Sequence, residues 1–276
     1  MGEAKSRKAE IDELKRRSPE AAAQSRQLQE ARRQLVHGIE LESQNPKDVA
    51  SLARLLKGMF EEAKRTGNVD PPLLFLNDSV NGTVRRLSDI SVACKKGCSH
   101  CCHVWVSVSA PEALFIAKII KQRGSIAIDK VRSAHTLTKE YDFDARDQHP
   151  LPCPLLENDV CSIYESRPRA CRLAASGDAE ICARTYHNLS DENVPMPIMY
   201  LFGRASYSVA LASGLRKVGL SHVAYEFNAA LLRALETDNA EQRWLAGEDI
   251  FAGIHLDPND VFANPQAQWL YEHAFA

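Results

Sequence analysis

The residues with metal chemistry in this chain begin at CKKGCSHCCH, positions 94–103. Cys94, Cys98 and Cys101 lie on a short turn, Gly97 lets the backbone curl, and Cys102 follows directly. Cys153, Cys161, Cys171 and Cys182 complete a set of eight cysteines, all between positions 94 and 182. Cysteines used as small apolar fillers would not cluster in this way. Close thiols on a turn, joined by distant ones through folding, suit a tetrahedral Zn²⁺ or the four corners of a [4Fe-4S] cube.

Adjacent residues of an extended segment face opposite sides, so Cys101 and Cys102 are not expected to share one mononuclear tetrahedral site. Eight thiols then imply either two metal sites or one cluster with the remaining thiols structural, and spacing alone does not choose. His100 and His103 offer imidazoles beside the thiols, as ligands or as neighbours of the site. Four thiolates around Zn²⁺ or an oxidised cluster leave about two negative charges, which call for donors. Arg167, Arg169 and Arg172 surround Cys171 in SRPRACR, and Lys95 and Lys96 sit inside the first cluster. Arg167 and Arg172 are the candidate charge-assisted donors to the centre, with Arg172 expected to reach a ligand sulfur or a nearby carboxylate.

The rest of the chain bounds this chemistry. Its 276 residues, 45% of them hydrophobic, suffice for one substantial core or two small ones. A formal charge of −2 argues against generic nucleic-acid binding, which needs a concentrated basic surface. The charged N-terminus has no apolar run of a secretory signal, and the run PIMYLFGRASYSVALASGL is broken by Arg204 and serines. The expectation is a cytoplasmic protein without a membrane span, whose thiols stay reduced and favour metal ligation over disulfides. Gly2 and Ser6 fit the short M-G-x-x-x-S myristoylation pattern, which is common by chance.

The elements that must position the thiols read as mainly α. Ser18-Pro19, Asn45-Pro46 and Asp70-Pro71 each place a capping residue before proline and predict three successive helices. Val49, Leu52, Leu56, Met59 and Ala63 form the inward stripe of the second, and Leu73, Leu76, Val80, Val84 and Leu87 that of the third. VWVSV reads as a short strand, followed by a capping box at Ser109 and Glu112 for the helix EALFIAKIIKQR. The stretch 141–164 reads as a loop and a small hairpin around END, bringing Cys153 and Cys161 together. Helices return at Ile198–Lys217 and Ser221–Glu236, with a short segment near Glu241–Ala246. The predicted organisation is a flexible arm at 1–17, N-terminal helices at 18–89, a loop- and hairpin-rich cysteine module inserted at 90–190, and C-terminal helices at 191–276.

Taken together, C-x3-C-x2-C-C followed by CPLLENDVCSIYESRPRACR strongly resembles the cysteine-cluster family of zinc- or iron-chelating proteins often called YkgJ-like. The resemblance spans roughly residues 90–185. It implies Cys94, Cys98, Cys101, Cys102, Cys153, Cys161 and Cys171 as metal ligands, with Cys182 at the edge of the pattern. Proteins similar to flagellin lysine N-methylases carry the same pattern, which implies S-adenosylmethionine and a protein lysine substrate as an alternative; no Gly-rich nucleotide loop after a strand supports it. Cys94, Cys98 and Cys101 also match the C-x3-C-x2-C of radical S-adenosylmethionine enzymes, but no strand–helix alternation follows them. A thiol redox sensor is the third reading, because thiolates near Lys95 and Lys96 would be reactive. The residues name no catalytic group, and a protein partner or substrate is left unspecified.

Overall fold

The computed structural model describes residues 46–187 and 190–275. The expected arm at 1–17, the helix from Pro19, the cap at Asn45 and the pattern at Gly2 and Ser6 lie outside the described residues. What is described is mainly helical, with two two-stranded sheets among the described residues.

Helix α1 (Pro46–Thr66) starts at the predicted proline and buries Val49, Ala53, Leu56, Phe60 and Ala63. Ala53 and Phe60 hold the inward places expected of Leu52 and Met59, which are half-buried. Helix α2 (Asp70–Arg86) buries Leu73, Leu76 and Val80. Its cap is Val69, and Asp70 is the first helical residue: its N–H is taken by the side chain of Asn68 at 2.9 Å.

Strand β1 (Ser107–Ser109) leads into α3 (Ala110–Gln122), then α4 (Ser125–Thr138) and α5 (Phe143–Gln148). The hairpin β2 (Leu156–Glu157) and β3 (Val160–Cys161) turns on Asn158 and Asp159, both with positive φ (49° and 61°), as a two-residue type I′ turn requires. The short α6 (Arg169–Arg172) and α7 (Ala179–Tyr186) follow, then the long α8 (Ile198–Lys217). The chain closes with strand β4 (Ala224–Glu226), α9 (Phe227–Glu236), α10 (Ala240–Leu245) and α11 (Pro265–Ala274).

Residues 221–226 depart from the expected helix. Ala224–Glu226 pair antiparallel with β1, Val108 opposite Tyr225, and the helix begins only at Phe227. The pairing sets the start of α9, because Glu226 then caps it by accepting from the N–H groups of Asn228 and Ala229 at 3.0 and 2.6 Å.

The core is one continuous cluster running from Val49 on α1 to Ala274 on α11. α8 lies against α1 closely enough that a Cβ at Gly214 would stand 3.1 Å from the Lys57 nitrogen and 3.2 Å from the Ala53 oxygen. Trp244 of α10 packs edge-on to Phe60 with ring centroids 6.4 Å apart. α9 covers α3 and α4 on the other side. Cys94, Cys153 and Cys161 pack along the edge of this core, so the frame fixes where the thiols stand. No helix among the described residues is long and apolar enough to cross a membrane.

Two half-buried histidines give the fold a pH dependence. Burial holds His222 below the usual imidazole range, with Arg216 acting in the same direction and Asp260 against it. Burial likewise lowers His135, aided by Lys139. Both therefore stay neutral in the folded chain and take up protons more readily once it unfolds. Stability should be full above the unfolded value near ~6.5 and should fall as pH drops from there through the depressed folded values. Urea midpoints measured from pH 7.5 down to pH 5 check this: the double variant His135→Gln/His222→Gln should show a shallower decline than the parent.

Candidate metal centre

Gly97, at φ 92°, turns the chain after Lys96, and the Cys98 N–H returns to the Lys95 carbonyl at 3.0 Å. Residues His100–His103 then form a single 3₁₀ turn, with the Cys102 N–H on the Ser99 carbonyl at 2.9 Å. Cys101 and Cys102 are thus on a tight helix rather than an extended segment, so their Cα–Cβ bonds diverge by about 120° instead of alternating. In this turn positions i and i+3 eclipse, which puts His100 and His103 on one face. Both meet His187: His100 Nδ1 lies 3.5 Å from His187 Nε2, and the His103 ring is centred 4.8 Å from that of His187.

Two sets of backbone bonds draw the distant thiols in. On one side, the Cys153 N–H donates to the Cys102 carbonyl at 2.8 Å and the Leu151 N–H to the His103 carbonyl at 2.9 Å. Buried Arg146 locks this crossing by donating to the carbonyls of His103, His149 and Leu151 at 3.0, 2.6 and 2.7 Å. The hairpin then carries Cys161, opposite Leu156, back beside Cys153. Its tip is tied to the first turn by Ser99 Oγ, which donates to Asp159 at 3.1 Å. On the other side, the Ser176 N–H donates to Cys94 Sγ at 3.2 Å and the Ala93 N–H to the Ser176 carbonyl at 2.8 Å. The Ser176 hydroxyl in turn donates to the Asp178 carbonyl at 3.0 Å and accepts from the Asp178 N–H at 3.1 Å, so one serine joins Cys94 to the start of α7.

Cys171 sits on α6, whose first N–H, that of Arg169, is held by buried Glu112 at 2.9 Å. Glu112 is expected from the sequence to cap α3. It does so by accepting from the N–H and hydroxyl of Ser109 at 3.1 and 2.7 Å, and it also anchors the thiol-bearing segment from below. No sequence signal links Glu112 to Arg169, and none marks Ser176, Arg146 or His187.

All eight cysteines are unpaired thiols. Burial raises the Cys153 and Cys171 thiols to about 12, with neighbouring thiols adding to the effect. Hydrogen bonding to Cys102, then burial, pushes Cys101 up, and burial raises Cys94, Cys161 and Cys182. The thiols are electrostatic neighbours of one another. Cys94 senses Cys98, Cys101 and Cys182, while Cys153 senses Cys161 and Cys171.

The expected cations divide their roles. Arg172 is buried and spends its fork on the carbonyls of Arg167 (2.9 Å) and Glu165 and on Asn81 of α2 (2.7 Å). The bond expected from it to a ligand sulfur is not among these, and the reason is visible: Arg172 is the staple that folds the 165–172 loop. Its charge still bears on Cys161. Arg167 lies with its guanidinium 3.9 Å over the Tyr164 ring and lowers the thiols of Cys101, Cys161 and Cys171 against the effect of burial. Its buried Nε has no hydrogen-bond partner. Lys96 approaches the same ring at 5.8 Å. Arg172→Lys should therefore cost about 1.5–3 kcal/mol of stability, since an ammonium cannot make the planar three-way contact. Urea unfolding of the metal-loaded protein measures it.

An anionic metal–thiolate centre fits this donor set in two respects: all eight cysteines are free thiols, and the Arg167 guanidinium, whose buried Nε has no partner among the described residues, bears on three of them. As the side chains stand, no three His, Cys, Asp or Glu among the described residues close around one point, so a metal would have to draw thiolates in by rotamer changes.

Fold and site together define a mainly helical protein with a multi-cysteine cluster at the edge of its core. Residues 93–189 match the model of the CxxCxxCC family, described as "Putative zinc- or iron-chelating domain", and this is the cysteine-cluster family that the motifs resemble. Searches of curated proteins and of solved structures found no match to the chain.

Proposed function

We propose that this chain is a zinc- or iron-binding protein whose thiolate centre organises the loop-rich segment around it. The observation that carries the reading is that eight uncrosslinked thiols, from the 94–102 turn, the hairpin, α6 and α7, become electrostatic neighbours at the core edge. An all-sulfur set supports either tetrahedral zinc or a [4Fe-4S] cluster, because both take four thiolates. Binding would displace the thiol protons, and the positive charge of Arg167 would stabilise the thiolates that remain. A reducing compartment such as the cytosol suits thiols that form no disulfide.

Anaerobic purification with metal and acid-labile sulfide analysis tests this. Stoichiometric zinc in a colourless protein, or iron and sulfide in a brown one absorbing near ~400 nm, is the expected result. Cys94→Ser and Cys161→Ser should each lower that content. Protein that retains neither metal under reducing conditions, and binds neither on reconstitution, would overturn the reading.

A further inference from the structure

Three imidazoles from two segments far apart in the sequence meet beside the thiol-bearing turn. The 3₁₀ turn His100–His103 sets its first and last residues on one face, and His187, which closes α7, meets both of them there. The ring centroids of His100 and His103 lie 5.7 and 4.8 Å from that of His187. His100 Nδ1 and His187 Nε2 are 3.5 Å apart, beyond the about 2.7–3.2 Å usual for an N–H donor and its acceptor. The separation fits a different geometry. Two imidazole nitrogens held by one tetrahedral ion at about 2.0–2.1 Å stand about 3.3–3.4 Å from each other, and their rings are then centred about 5 Å apart. The two ring separations bracket that value.

His103 carries a further mark of a ligand. Its Nδ1 lies 3.1 Å from the Ser99 carbonyl, which can only accept, so Nδ1 holds the proton and Nε2 keeps its lone pair. Metal-binding histidines commonly donate their other ring N–H to a carbonyl in this way. His187 stands at the C-terminal end of α7, where unsatisfied carbonyls favour a cation. All three residues are half-buried, so an ion from solvent can reach them. We propose that His100, His103 and His187 form a metal site apart from the thiols, one that takes a borderline divalent ion such as Zn²⁺, Co²⁺ or Ni²⁺ through three imidazoles. The fourth position is left to water or another exchangeable ligand, as in open three-ligand sites. His100 and His187 already stand near ligand spacing; the His187 ring has to swing toward His103 to close the third bond. No cysteine contributes, so the site does not depend on what the thiols bind.

Co²⁺ is the probe, because its spectrum reports its ligands. Tag-free wild-type protein, its thiols first saturated with metal under anaerobic reducing conditions, is titrated with Co²⁺ by equilibrium dialysis and difference absorption. One Co²⁺ per chain is expected, with the visible bands of a nitrogen- and oxygen-ligated ion and without a sulfur-to-cobalt charge-transfer band. Failure to bind Co²⁺ overturns the site, whether or not the thiols hold metal. A sulfur-to-cobalt band makes a cysteine the ligand and overturns it as well. His100→Ala, His103→Ala and His187→Ala should each weaken Co²⁺ binding about 10-fold or more, since even the loss of a group that merely supports a ligand costs that much, and should leave the metal at the thiols in place. Undiminished binding in any of the three overturns the assignment. Where a variant fails to fold, proton NMR of the wild type decides: its Co²⁺ form should show three exchangeable, strongly shifted imidazole N–H resonances, and two or fewer overturn a three-imidazole site.

Discussion

Glu112→Leu is expected to cost about 3–5 kcal/mol of folding stability, the cost of breaking a buried ion pair by removing one partner. The carboxylate accepts from the Ser109 N–H, the Ser109 hydroxyl and the Arg169 N–H, and it stands 3.8 Å from the Arg169 guanidinium. Neither side chain can turn to water: Arg169 is 9% exposed and Glu112 4%. Without the carboxylate, Arg169 keeps only the Ser208 hydroxyl at 2.6 Å, with its Nε already lacking a partner, and burial already disfavours its charge. The same substitution frees the first N–H of α6, two residues before Cys171, so metal retention should fall with stability. Glu112→Gln keeps the shape and the acceptor and should cost less, about 1.5–3 kcal/mol. The double variant Glu112→Leu/Arg169→Leu should recover much of the loss, because no unpaired charge is then left inside. Urea unfolding at saturating metal measures all three; a Glu112→Leu change within about 0.5 kcal/mol, the range of ordinary surface substitutions, would show that the pair is not structural.

How much of this was legible in the sequence follows from whether the cause was local. The start of α1 at Pro46, the span Ile198–Lys217 and the β2–β3 hairpin carry their signals within a few residues, as proline, periodicity and turn chemistry, and they stand where expected. Strand β4 does not. Ala224–Glu226 is extended only because Ser107–Ser109 pairs with it from the other side of the sequence, and a helix-compatible apolar pattern concealed that. Helix α4 carries no such signal for a different reason: the residue before its first turn is Gly124, φ 90°, which has no capping side chain to announce it. Helix α11 did carry the same Asn-Pro signal as α1, at Asn264 and Pro265, and could have been read.

The site divides in the same way. Spacing and residue type marked every thiol, because cysteines gathered in one third of a chain are conspicuous whatever the fold. Which thiols are neighbours depends on Leu151 and Cys153 crossing the 3₁₀ turn and on Ser176 reaching back to Cys94, contacts between segments whose own residues carry no signal. Arg172 shows the limit of reasoning from charge alone. A cation next to a thiol was a fair candidate donor to sulfur, but two carbonyls of its own loop and Asn81 of α2 claimed it first.

Withdrawal of the metal is expected to have the largest effect of all, and an uneven one. Structural zinc in a thiolate site contributes about 10–16 kcal/mol of apparent binding free energy, as much as the whole stability of many domains. Between Leu151 and Ser176 regular structure is short, two residues each in β2 and β3 and four in α6, and Leu155, Ile163 and Leu173 with Glu112 and Arg172 are what anchor it to the core. By contrast, α1 and α8 are 21 and 20 residues long and bury Leu56, Phe60, Leu211 and Leu215 almost completely. Amide hydrogen exchange before and after an excess of high-affinity chelator, in anaerobic reducing buffer, separates the two regions. The amides of Leu151, Cys153 and Ser162, bonded to His103, Cys102 and Leu155, should lose most of their protection on stripping. Those in the middle of α1 and α8 should keep theirs, and readdition of zinc or iron should restore the first set. Unchanged protection at all three amides in protein shown to be metal-free would mean that hydrogen bonding and packing alone hold the cluster region, and that the metal does not organise it.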